Sequence, residues 1–305
     1  MCVTEIPTQS LAHRAAVVAR DIKLSHTAFA MPFALLTTFM AAGWAHRLPR
    51  PTQLSLIVLC MFLARTMAMT ANRWVDRHFD AENPRTAGRA LPSGRLNASC
   101  MLAAAIICAI GFIVACGGFW LLDRNPWPIT LAPLVLGYLA GYSYTKRFTW
   151  ACHLYLGAAL ALSPIAAVIA IEPNYLGAVV PLVLALVVIG WVAGFDIVYA
   201  LQDINVDRQS GLHSIPSRLG PQRALWVARI LHAAAAVGLL GLWYLSPQLA
   251  ELFLLAVGVT IGLLVLEHAL VWSSSTNHIS IAFLTINGLI SLLLGAAGIA
   301  DVIRA

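Results

Sequence analysis

Nine stretches of about 17 to 24 mostly apolar residues punctuate this chain, each long enough to cross about 30 Å of hydrocarbon as a helix. They run over 28–45, 53–71, 99–122, 127–143, 153–171, 176–199, 224–244, 249–271 and 279–300. Hydrophobic residues make up 60% of the 305 and charged residues only 10%, against about 25% charged in soluble domains. The solvent such a sequence fits is a bilayer. The expected fold is all-α: a polytopic membrane protein forming one domain over 1–305, with no soluble domain or linker.

Orientation follows from the basic residues. Arg14, Arg20 and Lys23 precede the first stretch; Arg73, Arg77, Arg85, Arg89 and Arg95 follow the second; Lys146 and Arg147 follow the fourth; Arg208, Arg218 and Arg223 follow the sixth. The opposite face carries only Arg47, Arg50, Arg124 and Arg304. Such a bias places the amino terminus and the even-to-odd loops in the cytoplasm, and nine crossings then put the carboxyl terminus outside. The net charge of +6 is thus mainly a topological signal and calls for no nucleic acid partner. Residues 1–25 read as a cytoplasmic amphipathic arm, and the polar stretches 73–98 and 200–223 are the cytoplasmic loops large enough to form a lid. Six cysteines show no Cys-x-x-Cys spacing, so they read as reduced packing residues.

Against this apolar background the carboxylates stand out. In "NRWVDRHFD", Asn72, Asp76 and Asp80 stand at i, i+4 and i+8, one stripe of a helix that continues past the hydrocarbon edge. In "DIVYALQDINVD", Asp196, Tyr199, Asp203 and Asp207 are spaced by three, four and four residues, again one helical stripe, with Gln202 beside it. The second and sixth stretches share parity, so both clusters end at the same membrane face. Five carboxylates at one mouth, near helix carboxyl ends, repel one another. A hard divalent cation relieves this, and Mg2+ typically takes one or two carboxylates together with phosphate oxygens and water. A metal-bridged diphosphate fits that chemistry, and the loop cations, Arg73, Lys146 and Arg147 among them, can complete its neutralisation.

These residues resemble a family. "NRWVDRHFD" is similar to the N-x-x-x-D-x-x-x-D motif, and "DIVYALQDINVD" to the D-x-x-Y-A-x-Q-D-x-x-x-D motif, of the UbiA superfamily of intramembrane aromatic prenyltransferases. "NPRTAGRALPSG", "YSYTKRFT" and "GLHSIPSRLG" resemble the loops that accompany them, while "SHTAFAMPFAL" and "EHALV…AFLTIN" are similar to the 4-hydroxybenzoate polyprenyltransferase-like branch. In "VWSSSTNH" the expected Pro and Asp are missing, and "AFL" stands where the family often has two Phe residues. The resemblance implies nine transmembrane helices around a central cavity with cytoplasmic cap loops. It also implies Mg2+-dependent transfer of a polyprenyl group from an isoprenyl diphosphate to an aromatic acid. The setting would be the cytoplasmic membrane of a bacterium.

Carried over by position, Asn72, Asp76 and Asp80 hold one Mg2+ and Asp203 with Asp207 another, assisted by Asp196. Arg73, Lys146 and Arg147 contact diphosphate or acceptor, Tyr199 steadies the cation or orients a ligand, and Gln202 takes part in binding. His26 and His213 read as polar packing residues, since a lone His needs a partner to act as a base. The expected acceptor is 4-hydroxybenzoate, for ubiquinone synthesis, with a dihydroxynaphthoate-type acid of menaquinone synthesis as the alternative. A secondary transporter is the rival from another class, because intramembrane acids also mark ion pathways. The position of the acids toward one face, beside an arginine-rich loop, favours the enzyme.

Overall fold

The computed structural model describes residues 10–22, 29–272 and 282–305; Lys23, His26 and the "SSSTNH" segment lie outside them. Among the described residues there is no strand. In chain order the helices are α1 (Leu11–Asp21), α2 (Met31–Trp44), α3 (Pro51–Glu82), α4 (Ala98–Asp123), α5 (Trp127–Thr145), α6 (Cys152–Ile171) and α7 (Val179–Ala200). They continue with the short α8 (Ile204–Gln209) and α9 (Ile215–Leu219), then α10 (Pro221–Leu245), α11 (Glu251–Trp272) and α12 (Asn287–Arg304). Helices occupy all nine apolar stretches among the described residues. Seven of them are long and apolar enough to cross a membrane by length and composition. The other two are α2, apolar but only 14 residues long, and α5, whose 19 residues include Pro133, Tyr138, Tyr142 and Tyr144.

Local chemistry sets where the helices begin. Pro51 occupies the first turn of α3, where a missing N–H costs nothing, and the Gln53 side chain accepts from Arg50 N at 3.0 Å. Ahead of α10, Gly220 adopts φ 78°, a left-handed conformation open to glycine, and Pro221 follows at once.

Packing centres on α7, which lies against α6 and α10, while α3 packs on α4 and α2 on α6 and α12. Leu184, Val188, Trp191, Val192, Phe195 and Ile197 of α7 are buried. The α6–α7 contact is backbone to backbone: a Cβ on Gly157 would lie 2.5 Å from the Ile189 carbonyl oxygen, the close approach that small residues permit between membrane helices. Val114, Leu121, Leu134, Leu186, Val237 and Leu255 face outward. So wide an apolar exterior is suited to acyl chains rather than water.

The connections differ between the two ends of the bundle. Where α3 begins, the links are short and pinned: Arg50 and Gln53 both engage Asp123, and Asn125 donates to the Ile169 and Ala170 carbonyls. Where α3 and α7 end lie the long connections 83–97 and 201–220. Against the first of these packs α1, through Val18 and Ile22 on Ala90, Leu96 and Met101. Asp21 fastens this contact by accepting from Ala90 N at 2.7 Å. The five described cysteines, Cys60, Cys100, Cys108, Cys116 and Cys152, are free thiols.

One local expectation is corrected. The second acidic segment is not a single helix: α7 stops at Ala200, a 3-10 turn spans Leu201–Asp203, and α8 resumes at Ile204. The change shows in the ladder, where Leu201 N–H bonds the Val198 carbonyl three residues back. Asp203 is meanwhile gripped by Asn83 and Arg85 from across the site.

Candidate active site

Because α3 runs unbroken to Glu82, Asn72, Asp76 and Asp80 stay on one helical face, and Asp76 and Asp80 are buried. The other acidic segment carries Asp196 and Tyr199 on α7, Asp203 at the end of the turn and Asp207 on α8. All seven residues line a single cavity of about 180 Å3. Arg73, Arg85, Arg89, Lys146 and His153 share its wall. Five carboxylates thus face the basic side chains of Arg73, Arg85, Arg89 and Lys146.

Every carboxylate has a specific partner. Lys146 Nζ is 3.1 Å from Asp76 Oδ2, and Arg147 Nη2 is 3.5 Å from Oδ1; Asn72 Nδ2 also donates to Asp76 at 3.0 Å. Arg89 Nη1 lies 2.6 Å from Asp80 Oδ1. Arg85 grips Asp203 side-on through Nε at 2.9 Å and Nη2 at 2.5 Å, and its Nη1 donates to the Tyr199 hydroxyl at 2.9 Å. Such forked pairing fixes orientation as well as charge. Burial pulls the Arg85 pKa down more than any other single influence, but the hydrogen bond and charge of Asp203, together with Tyr199 and Asp80, outweigh it, so the net shift is upward. Asp207 accepts from Ser214 Oγ at 2.8 Å, and Asp196 from His153 Nδ1 at 2.7 Å.

The donor set suits a hard cation. Asp80 Oδ2 is buried with no hydrogen-bond partner, a carboxylate oxygen held out of water with its lone pairs unspent. Among the described residues no three His, Cys, Asp or Glu side chains converge into a ready-made cage. The oxygens of Asn72, Asp76, Asp80, Asp203 and Asp207 along the wall are the donor chemistry of a hard divalent cation that shares its shell with phosphate and water.

The profile of the UbiA prenyltransferase family matches residues 31–292, a span that contains both acidic segments and the cavity between them. The chain belongs to the UbiA prenyltransferase family. A relative named 4-hydroxybenzoate octaprenyltransferase, from Chromohalobacter salexigens, is 28% identical over 246 residues, covering 79% of this chain and 78% of its own. A UbiA homologue from Aeropyrum pernix K1 superimposes with TM-score 0.80 at 28% identity, over 91% of this chain and 98% of that one. The UbiA homologue from Archaeoglobus fulgidus bound to DMAPP and Mg2+ shares the fold, with TM-score 0.66 at 19% identity, over 94% of this chain and 99% of that one.

Within this UbiA fold the residues singled out from sequence separate by position. Asn72, Arg73, Asp76, Asp80, Lys146, Asp196, Tyr199, Asp203 and Asp207 line the cavity together. Arg147 reaches Asp76 from the rim, stacked over Phe79 and Tyr144 at 5.2 and 4.9 Å. Gln202 is not part of the wall; its amide donates to the Tyr199 carbonyl at 3.1 Å. Arg73 does line the cavity but is held by α1, its Nε 3.3 Å from Asp21 Oδ2. His213 contributes to the wall and is anchored by its backbone N–H to the Lys146 carbonyl at 2.6 Å. His26 lies outside the described residues.

Sequence reasoning missed Asp21, Asn83, Tyr142, Ser143, His153 and Ser214. Of these, His153 carried a usable signal: an imidazole in the first turn of an apolar helix, at the end where the acids gather. Asp21 carried none, because its partners are 52 and 69 residues away.

Proposed function

We propose that this prenyltransferase moves a polyprenyl group from an isoprenyl diphosphate to an aromatic acid, with 4-hydroxybenzoate as acceptor and Mg2+ as cofactor. The observation that carries the reading is the convergence of both acidic segments and the loop cations on one cavity at one end of an apolar bundle. Asn72, Asp76 and Asp80 would hold one Mg2+, and Asp203 with Asp207 a second. When bound, Mg2+ supplies Lewis acidity to the departing diphosphate, so that the allylic carbon–oxygen bond can ionise.

The chain's own residues do the rest. Arg85, Arg89 and Lys146, now paired with Asp203, Asp80 and Asp76, are placed to neutralise diphosphate oxygens once metal takes those carboxylates. Arg73 and Arg147 add positive charge at the base and rim. Tyr199 turns its ring toward Arg85, 5.2 Å away, and is placed to orient a ligand or steady an allylic cation with its π face. The polyprenyl tail gains about 0.8 kcal/mol per buried CH2 by staying in hydrocarbon, which accounts for a charged cavity capping an apolar bundle.

On this reading α2 and α5 also cross, giving nine spans. Within the polar stretches 73–98 and 200–223, the first of which opens on the end of α3, the connections 83–97 and 201–220 cover the cavity from the cytoplasm as parts of the single domain 1–305, in the cytoplasmic membrane of a bacterium. The acceptor is supported by the activity for which the Chromohalobacter salexigens relative is named. Membranes carrying the protein, given Mg2+, octaprenyl diphosphate and either 4-hydroxybenzoate or a dihydroxynaphthoate, provide the test. A product with the mass of prenylated 4-hydroxybenzoate supports the proposal, and turnover with the naphthoate alone overturns the acceptor.

A further inference from the structure

The interruption at Leu201–Asp203 has a structural cost. Asp196 sits on α7 and Asp207 on α8, so helix continuity no longer fixes one against the other, and Asp203 lies on the turn between them. One side chain ties the α7 end of this segment to the turn that follows α8. His153, buried in the first turn of α6 at 2% exposure, donates Nδ1–H to Asp196 Oδ2 at 2.7 Å. Its Nε2 accepts from the Ile215 backbone N–H at 3.2 Å. Since an amide N–H can only donate, Nε2 carries the lone pair and the proton of the neutral ring sits on Nδ1, facing the carboxylate.

The second tie leads on to Asp207. Ser214, adjacent to Ile215, donates its hydroxyl to Asp207 Oδ2 at 2.8 Å and caps α9 by accepting from Ser217 N at 3.2 Å. The same turn is stitched to the base of α6 by Cys152, whose thiol lies 3.5 Å from the His213 carbonyl. Both nitrogens of His153 are therefore engaged, and neither is available to a ligand.

We infer that His153 is a positioning residue: it staples Asp196 to the α8–α9 turn across the broken helix, and so sets how Asp203 and Asp207 present their oxygens to metal. This rests on the reading of Asp203 and Asp207 as a metal-holding pair.

Three variants dissect the staple. His153→Ala removes both ties; His153→Asn keeps a donor where Nδ1 stood; His153→Gln keeps an acceptor where Nε2 stood. The readout is Mn2+ binding to the purified full-length protein, followed by the electron paramagnetic resonance of free Mn2+, with melting temperature recorded alongside. The Ala variant should bind Mn2+ about tenfold more weakly, the size of one lost hydrogen bond to a charged group, and the Asn and Gln variants should fall between it and the parent. Parental Mn2+ affinity in all three, with only a lowered melting temperature, overturns the inference. Should the Ala variant fail to fold, parental affinity in both Asn and Gln variants overturns it equally. Asp203→Ala separates the two levels. If it binds Mn2+ like the parent, the metal pair itself is wrong; if it loses binding while the His153 series does not shift, only the staple falls.

Discussion

At the scale of single residues, the proposed function rests on which carboxylates can exchange a protein cation for metal. Asp76→Ala or Asp203→Ala should lower turnover by at least about 10³-fold, with insertion and folding retained, as seen by assaying product and melting temperature on the same preparation. Lys146→Ala should act on binding instead: Arg147 still faces Asp76, so KM for prenyl diphosphate rises roughly tenfold while kcat changes little. Gln202→Ala is expected to change neither constant by more than about threefold, since its amide serves the Tyr199 carbonyl. A large loss of kcat there would mean that Gln202 acts on the substrate directly. The acids were legible in the sequence because a charge in an apolar run is conspicuous and helical spacing says which of them share a face. Arg85 and Arg89 were legible only as loop charge: their pairing with Asp203 and Asp80 depends on how residues 83–97 fold back, and no periodicity encodes that path. Asp21 and Ser214 were invisible for the same reason.

Among the helices, α7 controls the arrangement, since α6 and α10 pack on it and it leads, from Asp196, into the turn and short helix that hold Asp203 and Asp207. Gly157→Ala would drive a Cβ to 2.5 Å from the Ile189 carbonyl, separating α6 from α7 at a cost of about 1–3 kcal/mol. A drop in melting temperature in detergent, with turnover falling as Asp196 moves away from His153, is the expected outcome. Unchanged stability would mean that α6 and α7 are not in backbone contact. Helix existence was readable from the run lengths. The stop at Ala200 was not, because Asp196, Tyr199, Asp203 and Asp207 keep helical spacing straight through the turn, and the deciding partners, Asn83 and Arg85, belong to a distant loop. For α2 the length of 14 residues and for α5 the tyrosines and prolines make the crossing weaker in the chain itself than in its neighbours.

For the whole molecule, topology and electrostatics carry one message. The long connections, most of the basic residues and the cavity gather at one end of an apolar bundle, so a lipid diphosphate can keep its tail in hydrocarbon and its head among charges. Single cysteines placed in 83–97 and in 124–126 of a protein whose native cysteines are replaced should react with a membrane-impermeant maleimide from opposite sides. Labelling of both from one side would contradict the orientation. The central claim, that two acidic segments hold one diphosphate through shared Mg2+, is tested most directly by equilibrium binding of a non-ionising prenyl thiodiphosphate to the purified protein. The account predicts binding that requires Mg2+, disappears with chelator, and is lost in Asp76→Ala and in Asp203→Ala alike. Binding of parental strength without Mg2+, or in either variant, would contradict it.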